Sequence, residues 1–161
     1  MKNNLDKVDI RILELLQENS KMTAKELSGR LNLSQTPIFE RIKKLEREGY
    51  IKNYMAELNE RRLGLKQIVF IGVTLKGHTR SYLEKFVEKV REFPEVLECY
   101  QVAGNYDFML KVILEDIEAY QVFVETKLSL ISELGNVNSY IAIKKGKQTH
   151  KLDLGFLRSR L

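Results

Sequence analysis

This 161-residue chain has one cysteine, two prolines and no tryptophan, and none of its apolar runs is long. The single cysteine, Cys99, excludes an internal disulfide, and its setting in Val96-Leu-Glu-Cys-Tyr predicts a packed thiol on a strand. No segment approaches the roughly 20 apolar residues that a membrane span needs, and the N-terminus lacks the apolar region of a signal peptide. We therefore expect a cytoplasmic protein without a membrane partner.

The sequence also lacks the residue spacings that mark catalysis. His78 and His150 lie in segments that we expect to be exposed, and no nucleophile-base pair, metal-ligand spacing or phosphate loop is present. We expect no catalytic residue, no metal and no cofactor, and hence no enzyme. The formal net charge of +5 is too small an excess to identify a nucleic-acid partner without further evidence.

The stretch from Asn32 to Ile51 predicts a helix with a buried and an exposed side. Ser34 is suited to the N-cap, Pro37 falls in the first turn where a missing N–H costs little, and Gly49 ends the helix. Apolar residues recur at helical spacing at Ile38, Ile42 and Leu45. The opposite side carries Thr36, Phe39, Glu40, Lys43, Lys44 and Arg47.

The residues just before this stretch predict a second, shorter helix. Thr23-Ala-Lys-Glu26 has the form of a capping box, and a hydrophobic staple between Met22 and Leu27 would support it. Because this helix should end at Leu31, only two residues separate it from Ser34. Two short helices with so tight a turn, the second one basic, predict a helix-turn-helix that binds double-stranded DNA.

An earlier helix from about Asp6 to Glu18 would complete the bundle, and an extended pair between Tyr50 and Leu58 would make it winged. We expect the outward residues Phe39, Glu40, Lys43, Lys44 and Arg47 to belong to the DNA-binding surface. The three cations would supply phosphate or base contacts, with Ser34, Gln35 and Thr36 near the groove edge. The alternatives are a merely solvated helix face and a helix used for protein contacts.

The second half of the chain changes to the period of strands. A β-rich run at Gln67–Leu75 is followed by a helix over 79–92, strands over 95–103 and 108–114, a helix from Asp116 to near Gly135, and a last strand over 137–145. We expect a shorter extended tail around Leu152. This order is the ferredoxin-like βαββαβ arrangement.

The fold class is therefore α+β, a winged helix-turn-helix followed by a ferredoxin-like sheet domain. We expect the DNA-binding domain at 1–52, a linker strand and turn at 53–64, and the sheet domain at 65–161. Two helices cover only one face of such a sheet. The face bearing Ile68, Phe70 and Gly72 needs a partner, and a second copy of the chain is the simplest one.

These motifs resemble the Lrp/AsnC, or feast/famine, family of transcription regulators. The resemblance covers nearly the whole chain and is carried by three segments: Leu5–Leu13, the block from Leu33-Ser-Gln-Thr-Pro37 to Ile51, and Val102-Ala-Gly-Asn-Tyr-Asp107. It implies an N-terminal winged helix-turn-helix that binds DNA, a linker, and a C-terminal ferredoxin-like domain that dimerises and senses amino acids, often in assemblies of eight subunits. The segment Leu134–Ser139 departs from the family, because related sequences carry a longer loop there.

The same resemblance implies an amino-acid effector at the contact between dimers, close to Val102, Gly104, Asn105, Tyr106 and Asp107. Glycine permits close approach of the backbone, and a carboxylate such as Asp107 can hold an ammonium group. The alternative is a hairpin turn stabilised by Asn and Asp. A third class of function, an enzyme on the sheet domain, stays open because fold does not fix function.

Overall fold

The computed structural model describes residues 5–158, which divide into two compact units. The first unit combines the chain up to Glu57 with the chain from Lys147 onwards, and the second is Leu58–Gly146. This division differs from the expected one at both boundaries. The expected linker, 53–64, is split between the units, and the expected sheet domain ends at Gly146 instead of 161.

Three helices form the body of the first unit: α1 (Lys7–Glu18), α2 (Ala24–Leu31) and α3 (Gln35–Arg47). Each has an apolar stripe at helical spacing, and the stripes meet in one core. The buried members of this core are Leu5, Ile10, Ile12, Leu15, Leu16, Leu27, Ile38 and Leu45. The expected helix-turn-helix is confirmed, with Asn32 in the left-handed conformation at φ 53° closing α2.

The helix starts are defined by three N-cap residues that differ in what their side chains do. Asp6 accepts hydrogen bonds from the backbone of Val8 and Asp9. Thr23 and Glu26 form the expected capping box, in which the Thr23 N–H donates to Glu26 Oε2 at 2.6 Å and Glu26 N–H donates to Thr23 Oγ1 at 3.2 Å. Ser34 occupies the N-cap of α3, but within the described chain its hydroxyl makes no capping hydrogen bond.

The segment after α3 is not the strand pair that the sequence predicted. Gly49 follows the helix with φ +76°, and residues 52–59 have no regular secondary structure. A strand needs a neighbouring strand to pair its backbone groups, and here the segment is held by other contacts. Ile51 N–H donates to Leu45 O, and the Tyr54 hydroxyl donates to Glu46 Oε1 at 3.0 Å.

The end of the chain also differs from the expectation of an extended tail. Residues 147–158, the C-terminal tail, belong to the first unit and finish in a short helix, α6 (Gly155–Arg158). Leu154 and Leu157 pack against the three-helix core, which explains why the tail leaves the sheet.

The second unit is a four-stranded antiparallel sheet with helices on one face. Its elements are β1 (Gln67–Leu75), α4 (Arg80–Arg91), β2 (Val96–Gln101), β3 (Phe108–Leu114), α5 (Ile117–Thr126) and β4 (Leu134–Ile141). The strand order is β2-β3-β1-β4, which confirms the ferredoxin-like arrangement. β1 therefore lies in the interior of the sheet, paired on both sides.

Three sequence predictions fail in this unit. The second helix ends at Thr126 and not near Gly135, because the chain breaks at Lys127 into a 3-10 turn over Leu128–Leu130. β4 runs over Leu134–Ile141 and not over 137–145, so the last strand both begins and ends earlier than predicted. Cys99 lies on β2 as expected, but it is exposed and not packed.

The two faces of β1 have different surroundings. One face, with Val69, Ile71, Val73 and Leu75, is buried under α4 and α5 in a core that includes Phe86, Phe108 and Phe123. On the other face Phe70 is 41% exposed and lies opposite Lys111 and Tyr140 in the register. We call this second face, which carries Ile68, Phe70, Gly72 and Tyr140, the open face of the sheet.

The contrast between Thr23 and Ser34 gives a test of helix capping. We expect Thr23→Ala to lower the free energy of unfolding of the first unit by about 1 kcal/mol, because it breaks a reciprocal capping box. Ser34→Ala is the matched control, since it removes the same hydroxyl from a cap that makes no such bond. Urea unfolding followed by circular dichroism measures both, and equal losses for the two variants would contradict the assignment.

Candidate nucleic-acid interface and effector turn

The centre of the first unit is a buried carboxylate. Asp9 on α1 is fully buried, and two cations from α3 reach it: Arg41 Nη1 lies 2.6 Å from Oδ1, and Lys44 Nζ lies 3.2 Å from Oδ2. The N–H of Asp6 also donates to Oδ2. A buried charge is tolerated only when it is paired and hydrogen-bonded, so this cluster fixes the rotation of α3 against α1.

Asp6 extends the same cluster towards the surface. Its Oδ2 accepts a hydrogen bond of 2.6 Å from Arg41 Nη1. Partial burial raises the pKa of Asp6, but hydrogen bonds from the Asp9 backbone and from the Arg41 guanidinium outweigh it, and the pKa is lowered. The pKa of Arg41 is raised by the two carboxylates against the effect of its burial. Both groups are therefore charged at neutral pH.

The cluster changes the expected set of DNA-contacting residues. Lys44 was expected on the outward side of α3, but its side chain is only 26% exposed and its ammonium faces Asp9. Helical geometry explains the error, because Lys44 lies at the border between the two sides of the helix. Sequence reasoning also missed Arg41 as a partner of Asp9, since neither periodicity nor charge pattern shows which acid on another helix a cation will meet.

The outward side of α3 carries the other expected residues. Phe39 is 50% exposed, and Lys43 Nζ lies 5.7 Å from the centre of its ring. Lys43 also pairs with Glu46 at 3.0 Å, and both Glu46 and its neighbour Arg47 lie in the last turn of the helix. The remaining members of the set are exposed around the first half of the helix: Ser34, Gln35, Thr36 and Glu40.

Glu46 ties the segment after the helix to this surface. It accepts hydrogen bonds from Lys43 and from the hydroxyl of Tyr54, which lower its pKa despite slight burial. Burial and the Glu46 carboxylate together raise the pKa of Tyr54 to about 12, so the hydroxyl stays protonated and can donate. The result is a single surface that combines an exposed aromatic ring, cations and polar groups.

The turn between β2 and β3 is held to the end of β1 by its own acid. Asp107 N–H donates to Val73 O at 2.8 Å, and Leu75 N–H donates to Asp107 Oδ2 at 2.8 Å. The other oxygen, Oδ1, lies 3.1 Å from His78 Nδ1. The sequence left two roles open for Asp107, holding a ligand's ammonium group and stabilising the turn. The structure shows that its carboxylate supports the turn.

The remaining residues of the turn lie beside the open face of the sheet. The ring of Tyr106 covers Gly72 so closely that a Cβ on Gly72 would meet ring atoms at 2.7 Å, which only glycine avoids. The hydroxyls of Tyr106 and Tyr140 are 2.5 Å apart. Val102, Gly104 and Asn105 are exposed, and Gly104 has φ +147°. The turn thus presents exposed backbone beside an aromatic pair.

Comparison with known proteins identifies the two units. Residues 5–52 match the model of a winged helix-turn-helix DNA-binding domain, and residues 68–152 match that of an Lrp/AsnC ligand binding domain. The chain belongs to the Lrp/AsnC family of transcription regulators. The winged helix-turn-helix assignment thus holds at the level of the domain, although residues 52–59 form no strands in this member.

Individual members of the family align over almost their whole length. The chain is 36% identical over 140 residues to the Bkd operon transcriptional regulator of Pseudomonas aeruginosa, covering 87% of this chain and 92% of the relative. It is 34% identical over 149 residues to the leucine-responsive regulatory protein of Escherichia coli, covering 92% and 91%.

The structural match is equally extensive. A transcriptional regulator of Neisseria meningitidis, solved in complex with L-methionine, has a TM-score of 0.90 at 36% identity, covering 95% of this chain and 99% of that one. The protein is accordingly a DNA-binding transcription regulator with a small-molecule-binding domain, and not an enzyme. Across residues 5–158 no helix could span a membrane.

The buried cluster of this Lrp/AsnC member gives a stability prediction. We expect Arg41→Ala to lower the free energy of unfolding at pH 7 by about 2 kcal/mol, which is less than the roughly 3–5 kcal/mol for breaking a buried ion pair because Lys44 still faces Asp9. Arg47→Ala is the control, since Arg47 is exposed, and we expect it to change stability by less than about 0.5 kcal/mol.

The same cluster makes the free energy of unfolding depend on pH. A carboxyl with a lowered folded-state pKa stabilises the fold above its unfolded pKa, about 3.9 for Asp, and this contribution is lost as pH falls through the folded value. The difference between wild type and Arg41→Ala should therefore narrow below about pH 4, as Asp6 protonates. Urea unfolding at several pH values measures it, and a difference independent of pH would contradict the assignment.

Proposed function

We propose that this regulator reads double-stranded DNA with the outward side of α3. The observation that carries the proposal is the division of the helix's cations. Arg41 and Lys44 are bound to Asp9, whereas Lys43 and Arg47 are exposed on the same side as Phe39. Lys43 and Arg47 then supply phosphate or base contacts in the major groove, and Ser34, Gln35 and Thr36 lie at its edge.

The other two expected contacts differ from these in chemistry. Phe39 offers an apolar ring suited to a thymine methyl group, and Glu40 can accept a hydrogen bond from the exocyclic amine of cytosine. Lys44 is left out of the proposed interface, because moving its ammonium to a phosphate would weaken the pairing of a buried charge.

Replacing the two exposed cations tests the interface. We expect Lys43→Ala with Arg47→Ala to weaken DNA binding and to lower the slope of log affinity against log salt by about two, roughly 0.9 for each lost phosphate contact. Lys85→Ala with Lys89→Ala is the control, because it removes the same charge from exposed positions on α4. Filter binding across a salt series measures both, and an unchanged slope for the α3 variant would remove this helix from the interface.

We propose that the open face of the sheet forms a homodimer. An interior strand such as β1 places its side chains at the centre of that face, and Phe70 at 41% and Tyr140 at 52% leave large aromatic groups exposed there. A two-fold axis would cover both copies of the patch at once. Dimers of this kind could associate further to eight subunits, and each dimer would present two DNA-binding units to half-sites about 34 Å apart.

A charge at the centre of this face tests the dimer. We expect Phe70→Asp to bury an unpaired carboxylate at the interface and to give a monomer or insoluble protein. Leu130→Asp is the control, because Leu130 is more exposed, at 74%, and lies in the 3-10 turn after α5. Light scattering measures the mass, and a soluble Phe70→Asp variant with the wild-type mass would refute the assignment.

We propose that an amino acid binds close to the turn formed by Val102, Gly104, Asn105, Tyr106 and Asp107. Exposed backbone at Gly104 and Asn105 can bond a carboxylate or ammonium group, and the aromatic pair Tyr106 and Tyr140 offers an apolar wall. Asp107 adds negative charge, although its oxygens already hold Leu75 and His78. Because the neisserial relative was solved with L-methionine, methionine is the first amino acid to test.

The charge of Asp107 can be separated from its support of the turn. We expect Asp107→Asn to weaken amino-acid binding several-fold in calorimetry, since an amide can still accept the Leu75 N–H but cannot pair with an ammonium group. Asp116→Asn is the matched control, because Asp116 likewise accepts a backbone N–H, from Ala119, and asparagine is an equally good N-cap. If no amino acid binds the wild type, or Asp107→Asn binds normally, this effector site is wrong.

A further inference from the structure

The C-terminal tail makes a pair of backbone hydrogen bonds with one side chain of α1. Leu152 N–H donates to Gln17 Oε1 at 2.6 Å, and Gln17 Nε2 donates to Leu152 O at 3.2 Å. The side-chain amide thus satisfies both backbone groups of Leu152, as a neighbouring strand would. A glutamine at this position is the one side chain, apart from asparagine, that can both donate and accept in this planar geometry.

Ion pairs and apolar contacts flank this pair on both sides. Lys151 lies 3.2 Å from Glu18, and Arg158 forms an ion pair with Glu14. The pKa of Glu14 is lowered by Arg11 first and, against partial burial, by Arg158 as well. Between these charged contacts, Leu154 and Leu157 insert into the edge of the three-helix core. The tail is therefore docked on the first unit from Lys151 to Arg158.

Helix α1 connects this docking site to the DNA-binding helix. Its C-terminal half, from Glu14 to Glu18, holds the tail, and its N-terminal half holds Arg41 and Lys44 of α3 through Asp9. A displacement or loosening of α1 would weaken the ion pairs of Asp9, because the pairing of a buried carboxylate allows little change in geometry.

We propose that the C-terminal tail, residues 147–158, is a positioning segment of the DNA-binding unit that holds α1 in the orientation that α3 requires. The family matches place DNA binding within residues 5–52 and assign residues up to 152 to the ligand-binding domain. The DNA-binding unit is thus discontinuous in sequence, because its last segment follows the residues of the sheet unit in the chain.

Two variants of the full regulator test the proposal. One ends at Gly146 and lacks the whole tail. The other, Gln17→Ala, keeps the tail but removes both hydrogen bonds to Leu152. His150→Ala is the control, because it changes an exposed residue of the same tail. Hydrogen exchange by mass spectrometry, DNA affinity at fixed salt and mass by light scattering are measured for each.

We expect peptides from α1 to exchange faster in both variants, by roughly two- to tenfold for Gln17→Ala, which is the effect of losing one or two hydrogen bonds. DNA affinity should fall in both variants, while the mass of the assembly and the exchange of β1 stay as in the wild type. His150→Ala should match the wild type throughout.

Unchanged exchange in α1 after removal of the tail would overturn the proposal. Faster exchange with unchanged DNA affinity would also overturn it, since the tail would then stabilise the unit without positioning α3. If the shortened chain is insoluble, Gln17→Ala decides alone, and wild-type exchange of α1 and of the Leu152 peptide in that variant contradicts the assignment.

Discussion

The buried carboxylate of Asp9 is the interaction on which the DNA-binding unit depends. An uncompensated charge in a small apolar core would be expensive, so Arg41 and Lys44 must approach it from α3, and that requirement fixes both the rotation and the depth of the helix. The apolar contacts of Ile38 and Leu45 specify which side of α3 faces inward but not its rotation to within a few degrees. The ion pairs supply that precision, and they also decide which cations remain exposed for DNA.

In the sheet unit, too, a carboxylate fixes one element against another, at the candidate effector turn. Asp107 joins the turn to the end of β1, and Tyr106 covers Gly72 on the strand itself. The turn is thus built on β1, the strand whose outward side chains include Phe70. A ligand close to Tyr106 would therefore act next to the proposed dimer surface, and it could shift the assembly only through a different affinity for the two states.

Local patterns predicted the elements well, and long-range pairing explains the errors. Capping at Asp6 and Thr23 and the bounds of β1 follow from signals within a few residues, and the strand order follows from the βαββαβ order of the elements. The absent wing strands, the return of the tail to α1 and the pairing of Lys44 depend on partners distant in sequence. Thus the outward residues of α3 were predictable except at the border of the helix, whereas the partners of Asp107, Leu75 and His78, became visible only in three dimensions.

The division of cations on α3 is the central claim, and lysine acylation read by mass spectrometry tests it most directly. The protein is labelled alone and bound to DNA recovered by selection from a random pool. We expect Lys43 to be labelled in the free protein and protected on DNA, and Lys44 to be labelled weakly in both states, because its side chain is only 26% exposed and its ammonium lies 3.2 Å from the buried Asp9 carboxylate. Equal labelling of the two lysines in the free protein, or protection of Lys44 without protection of Lys43, would contradict this account.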